Sequence, residues 1–175
     1  RLVDGRRTQV TAGLEEVSRA PKVVLHDHLD GGLRAATVLD IAEQIGYRIP
    51  TDSPVLDQRE STAHAGSLER YLEGFQHTIA VTQRDSDLFR VAREAVEDLV
   101  ADGVVYAELR WAPEQHQRQG LPLAAAVEAV HSGLEAGQAD ARDAGKLIVV
   151  KQILTARRES QRSLEIAHLA VAEQR

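Results

Sequence analysis

The sequence predicts an α/β fold built on a parallel sheet, and three observations carry that reading. Short runs rich in Val, Ile and Leu recur at residues 22–29, 104–111 and 147–154. Longer segments with apolar residues at i, i+3, i+4 and i+7 separate these runs. Strands joined through helical crossovers pair in parallel. Three such strands alone leave two unpaired edges and a half-covered core. The chain is therefore either a small open α/β sheet or the first part of a (β/α)8 barrel, which needs eight strands and about 250 residues.

Residues 1–21 are polar and mixed, a loose lead-in with one short helical turn. The first strand covers 22–29 and is broken by Gly31-Gly32. A helix follows over 35–46, with Val38, Leu39, Ile41, Ala42 and Ile45 at helical spacing and Gly46 as its stop. Residues 47–66, with Pro50, Pro54 and Gly66, form a loop. Ser67 caps a helix carrying Leu68, Tyr71, Leu72, Phe75 and Ile79, and a further helix spans 87–101. Asp102-Gly103 ends that helix, and the second strand, 104–111, is closed by Pro113. A long Ala-rich helix over 123–144 leads to the third strand at 147–154, and a last helix begins at Ser163.

Composition removes several function classes. The chain has 175 residues, 43% of them hydrophobic, enough for one sizeable core and one domain. A formal charge of −6 gives no basic footprint for nucleic acid or an anionic membrane. No apolar run approaches the roughly 20 residues that span a bilayer. The absence of Cys excludes disulfides and thiolate metal sites and fits a cytoplasmic location. The basic opening RLVDGRRTQV lacks an apolar continuation and does not read as a secretory signal. The chain opens on Arg1 rather than Met, which predicts residues ahead of it.

The chemistry concentrates in VVLHDHLDGG, residues 23–32. Alternate side chains of a strand share a face. If the strand continues to Asp30, then His26, His28 and Asp30 point one way, and Leu25, Asp27 and Leu29 point the other. Imidazoles at i and i+2 can converge on one metal ion, and Zn²⁺ accepts His nitrogen readily. In a chain with seven His, chance alone gives about 0.3 His-x-His pairs, so the pair carries little weight by itself. Its setting adds weight, since α/β folds place their sites at the C-terminal ends of strands.

PKVVLHDHLDGGL (21–33) resembles the first metal-binding strand of the adenosine deaminase family, in the amidohydrolase superfamily. SLERYLEGF (67–75) is similar to the family's helix at the substrate mouth, DGVVYAELRWAP (102–113) to its second barrel strand, and KQILTARR (151–158) to its third. The flavour is that of actinobacterial members. The resemblance implies that residues 22–175 are the N-terminal part of a single (β/α)8 barrel domain of metal-dependent hydrolase type. It implies a zinc hydrolase that converts adenosine and 2′-deoxyadenosine to inosine and ammonia in purine salvage, with a small nucleoside as partner. His26 and His28 would be the first two zinc ligands, and Asp30 would hydrogen-bond the ribose with His28 nearby. Leu68, Tyr71, Leu72 and Phe75 would form an apolar lid over the purine. The family takes its other ligands, its general-acid glutamate and a catalytic histidine from later strands. No catalytic residue is therefore expected in this chain, which alone should be inactive. A related deaminase of another purine base or modified nucleoside, or an incomplete barrel serving as a binding or assembly module, is the alternative. The cytidine deaminase type is excluded by the missing Cys ligands.

The remaining candidates read more blandly. Glu108 and Arg110 share a strand face, either as a pair orienting the site or, the favoured reading, as a buried ion pair. His64, His77, His116, His131 and His168 show no ligand spacing. Asp27 faces the helical layer and is expected to accept a hydrogen bond from a backbone amide or an Arg.

Overall fold

A computed structural model describes residues 13–51, 53 and 68–174; for Leu14 and residues 68–73 it describes the backbone alone. The elements run α1 (Leu14–Arg19), β1 (Lys22–His28), α2 (Ala35–Ile45), α3 (Leu68–Val81), α4 (Asp85–Ala101), β2 (Val104–Trp111), a 3-10 turn at Pro113–His116, α5 (Leu123–Asp143), β3 (Val149–Leu154) and α6 (Ser163–Ala172). Every helix and strand expected from the sequence is present. The α4 helix starts two residues earlier than its apolar stripe suggests, and β3 starts two residues later. Gly46 ends α2 with φ +68°, a left-handed conformation that a Cβ would strain. The Ser67 cap and most of the 47–66 loop lie outside the described residues.

The three strands pair in parallel in the order β1-β2-β3. Parallel strands of one sheet are as a rule joined by right-handed crossovers, which bring successive connections to the same side. Paired residues share a face, which separates two surfaces. Ala107, Leu109 and Trp111 of β2 and Val150 of β3 are buried on one. Tyr106, Glu108 and Arg110 stand on the other, beside Val149, Lys151 and Ile153. On the buried side Trp111 Nε1 donates to Gln152 Oε1 at 3.1 Å, and Gln152 Nε2 reaches Val127 O of α5 at 3.4 Å. The opposite face carries half-exposed side chains. Val23 and Leu25 of β1 are 56% and 62% exposed.

The core lies between the sheet and the pair α4 and α5. Val96 and Val130 are fully buried there, each burial contributing roughly 1.5 kcal/mol or more. The helices approach closely because α5 offers Gly133, where an added Cβ would stand 2.3 Å from the Phe89 carbonyl oxygen. Charged ties hold the outer surfaces. Arg34 binds Asp98 at 2.6 Å and Glu97 at 3.0 Å, and Arg93 binds Asp140 at 2.7 Å. Such exposed pairs add little beyond orientation. Among the described residues no helix is long and apolar enough to cross a membrane.

Gly133→Ala tests the helix contact. Alanine favours an isolated helix by about 1 kcal/mol, but overpacking against a backbone carbonyl costs about 1–3 kcal/mol. The intact protein should therefore lose net stability, read as a lower denaturant midpoint. An unchanged or higher midpoint contradicts the packing described.

Candidate metal and nucleoside site

The sheet register explains how the end of β1 presents its polar residues. Val24 pairs with Ala107 and Asp27 with Leu109, so three residues of β1 advance against two of β2. This bulge breaks the alternation the sequence predicts. Leu25, expected among the helices with Asp27 and Leu29, is exposed, whereas Leu29 is buried. His28 returns to register opposite Arg110, on the face away from the helical core. Bulges re-aim side chains in this way and recur beside active sites.

The rings of His26 and His28 lie 5.5 Å apart, centroid to centroid, tilted by 49°. Arg110 Nη1 stands 3.0 Å from His26 Nε2. The expected Glu108–Arg110 ion pair does not form among the described contacts. Glu108 Oε1 instead accepts the Tyr106 hydroxyl at 2.9 Å. The Arg110 guanidinium is turned to the His26 ring instead. Asp27 behaves as expected, its Oδ1 accepting the backbone N–H of His28 at 2.8 Å.

Asp30 departs from the expected geometry. The strand ends at His28, and Asp30 sits in the following turn with its side chain 6% exposed, not on an open strand face. Thr78 of α3 crosses over it and donates its hydroxyl to Asp30 O at 2.6 Å. Its carboxylate lies 3.6 Å from His28 Nδ1, so the expected residues do gather, but through the turn. Gln115 Nε2 is 3.5 Å from Oδ2.

Gly31 makes room for α3. An added Cβ there would stand 2.1 Å from Phe75 Cζ, so the Phe75 ring rests on the glycine. The same ring meets His28 edge-on at 6.1 Å and 84°. Phe75 thus flanks the histidine pair. The side chains of Leu68, Tyr71 and Leu72 lie outside the described residues, as does His64.

His116 carries no spacing signal in the sequence, yet it is 1% exposed at the base of this site. Pro113 starts a 3-10 turn after β2, and that turn carries Gln115 and His116 back under α3. Gln83, just past the end of α3, clamps it, donating to Gln115 O at 3.1 Å and accepting the Arg118 N–H at 2.8 Å. His116 Nδ1 lies 2.7 Å from Thr82 O, and its ring meets Trp111 at 5.5 Å. Burial pushes its pKa down, partly opposed by the Thr82 carbonyl and Asp30, so the ring is neutral. The other histidines stay apart: His77 bonds the Tyr47 hydroxyl at 2.9 Å, and His131 and His168 lie on α5 and α6.

Whether these residues suit a metal follows from the donor set. Two imidazoles share the sheet's open face, with His26 Nε2 facing Arg110 Nη1 at 3.0 Å. Among the described residues no group of three or more His, Cys, Asp or Glu side chains could hold a metal ion. The pair fits as half of a tetrahedral site.

Residues 21–175 match the family model described as "Adenosine deaminase". An adenosine deaminase of Mycolicibacterium gilvum is 54% identical over 164 residues, covering 90% of this chain and 44% of the relative. The chain thus spans less than half the length of that relative. Among solved structures, the N6-mAMP deaminase of Arabidopsis has a TM-score of 0.75 and 30% identity, over 91% of this chain and 48% of its own. An amidohydrolase of Burkholderia ambifaria solved with bound zinc has a TM-score of 0.69 and 25% identity, over 97% of this chain and 46% of its own.

The lowered pKa of His116 has a defined consequence for stability. The folded state holds the ring neutral while the unfolded chain takes up a proton near the ordinary value of about 6.5. Its contribution is complete above that pH and is lost as pH falls toward the depressed folded value. The unfolding midpoint of the intact protein should drop between about pH 7 and pH 5, and His116→Gln should flatten that drop. An acid slope identical in the variant contradicts a buried neutral ring.

Proposed function

We propose, on the premise that this chain belongs to the adenosine deaminase family, that its protein hydrolyses adenosine and 2′-deoxyadenosine to the inosine nucleosides and ammonia. The observation that carries the reading is the His26–His28 pair standing beside buried Asp30 at the C-terminal end of β1. Barrel enzymes build their chemistry at that end of their strands.

In this reading residues 22–175 are the N-terminal part of one (β/α)8 barrel domain, with 1–21 as a lead-in. His26 and His28 hold zinc, and the remaining ligands come from later strands. Zinc bound there supplies a water nucleophile competent at neutral pH, which the weakly electrophilic purine C6 requires. Asp30 accepts a ribose hydroxyl, with His28 beside it. Phe75, with Leu68, Tyr71 and Leu72, covers the purine and excludes water. The general-acid glutamate and catalytic histidine belong to the later strands, so these 175 residues alone do not turn over substrate. The protein acts in purine salvage in the cytoplasm on a small nucleoside, with neither nucleic acid nor membrane as partner.

A second reading has one specific observation behind it. The Arabidopsis relative is named for a methylated purine nucleotide, so a modified purine nucleoside or nucleotide is the alternative substrate. An incomplete barrel serving as a binding module is the non-enzymatic one.

Incubating the intact protein with adenosine distinguishes them. The adenosine absorbance band should fall, and the purified protein should carry about one zinc per chain. His28→Ala should lose both the metal and the turnover. An intact protein without metal or turnover on any purine nucleoside would sink the enzyme reading, and unchanged zinc in His28→Ala would refute the ligand role.

A further inference from the structure

Two buried polar atoms below the histidine pair lack a hydrogen-bond partner: Asp30 Oδ1 and His116 Nε2. Their residues line one cavity, together with Leu29, Leu33, Thr82 and Trp111. It leaves about 10 Å³ for the centre of a water molecule, close to the least that holds one water and too little for two. Apolar cavities stay dry, but the lining of this one includes Asp30 and His116, each of which carries an unpartnered buried polar atom.

The hydrogen bonds around His116 fix its tautomer. The Thr82 hydroxyl donates to Thr78 O at 2.8 Å, so toward His116 Nδ1, 3.1 Å away, it offers a lone pair. Thr82 O accepts from the same nitrogen at 2.7 Å. Nδ1 therefore carries the hydrogen, and Nε2 presents a bare lone pair. Asp30 Oδ1 is also an acceptor, so the two cannot pair directly. A water molecule with two O–H groups satisfies both, and leaving both bare and buried is costly.

We infer that one water molecule bridges Asp30 Oδ1 to His116 Nε2, making His116 a positioning residue for the Asp30 carboxylate. The other restraints do not fix that carboxylate's rotation. Thr78 holds only the backbone carbonyl, Gln115 reaches Oδ2 at 3.5 Å, and His28 Nδ1 at 3.6 Å is beyond hydrogen-bond distance. The bridge closes a ring from Asp30 through Thr78, Thr82 and His116 back to Asp30, tying the turn after β1 to α3 and to the turn after β2. Its consequence for binding rests on the proposed ribose contact of Asp30; the bridge itself does not.

Two measurements on the intact protein test it separately. A crystal structure that resolves buried waters should show one water in contact with both atoms, and a dry cavity or a direct contact between them overturns the bridge. The second measurement compares binding of inosine with that of hypoxanthine, which lacks the ribose. His116→Asn keeps a donor for Thr82 but loses the acceptor, whereas His116→Gln places an amide oxygen near the Nε2 position. Inosine should bind about tenfold more weakly to His116→Asn and within about twofold of normal to His116→Gln, with hypoxanthine unchanged in both. Equal losses for the two ligands, or no loss, overturn the positioning role. Asp30→Asn is the control for the reading beneath it. If that variant binds inosine normally, the ribose contact fails, and the crystallographic water still decides the bridge. Should His116→Asn not fold, the water in the unaltered protein decides.

Discussion

The three-stranded parallel sheet is covered by α4 and α5 on one side, and the rest of the structure follows from that one-sided cover. On the covered side Ala107, Leu109, Trp111 and Val150 are buried beneath the helices. The other side is freed from the demand to be apolar. Tyr106, Glu108, Arg110 and Lys151 occupy it, and the end of β1 adds His26 and His28. Such a face suits the interior of a closed barrel, where strand ends carry chemistry and layers of side chains fill the rest. The exposure of Val23 and Leu25 fits the same view, since they stand where a closed barrel places its interior. The chain spans less than half the length of its curated relative from Mycolicibacterium gilvum, which has room for the remaining strands.

The site is assembled where three connections meet. The bulge in β1 re-aims the strand just before the histidines. The turn after it drives Asp30 inward, and α3 crosses above, held close by the absence of a side chain at Gly31. The 3-10 turn after β2 closes the space from below with Gln115 and His116. Around this buried carboxylate Gln115 Nε2 lies 3.5 Å from Oδ2 and His28 Nδ1 3.6 Å from Oδ1, Thr78 holds the backbone carbonyl of the same residue, and His116 lines the small cavity beside it.

Much of this was legible in the sequence because helices and strands leave periodic traces. The apolar stripes of α2, α4 and α5 and the stops at Gly46 and Gly103 located the elements to within a residue or two. The His-Asp-His-Leu-Asp-Gly run located the site. What escaped depends on contacts between distant segments. No Gly or Pro marks the bulge at Leu25 and His26, since it arises from pairing with β2. The burial of Asp30 comes from a helix some 48 residues away in the chain. His116 follows a proline, which announces the end of a strand but not that the next turn folds beneath α3. Nor does local spacing tell that Arg110 meets His26 across the sheet while Glu108 takes the Tyr106 hydroxyl.

The proposal that the open face at the end of β1 contributes half of a zinc site rests on His26 and His28. Anomalous diffraction from crystals of the intact protein, recorded on either side of the zinc absorption edge, tests it most directly. One zinc peak is expected about 2.0–2.1 Å from a nitrogen of both His26 and His28. A bound zinc that touches neither histidine, or a fully active protein with no peak there, would contradict it.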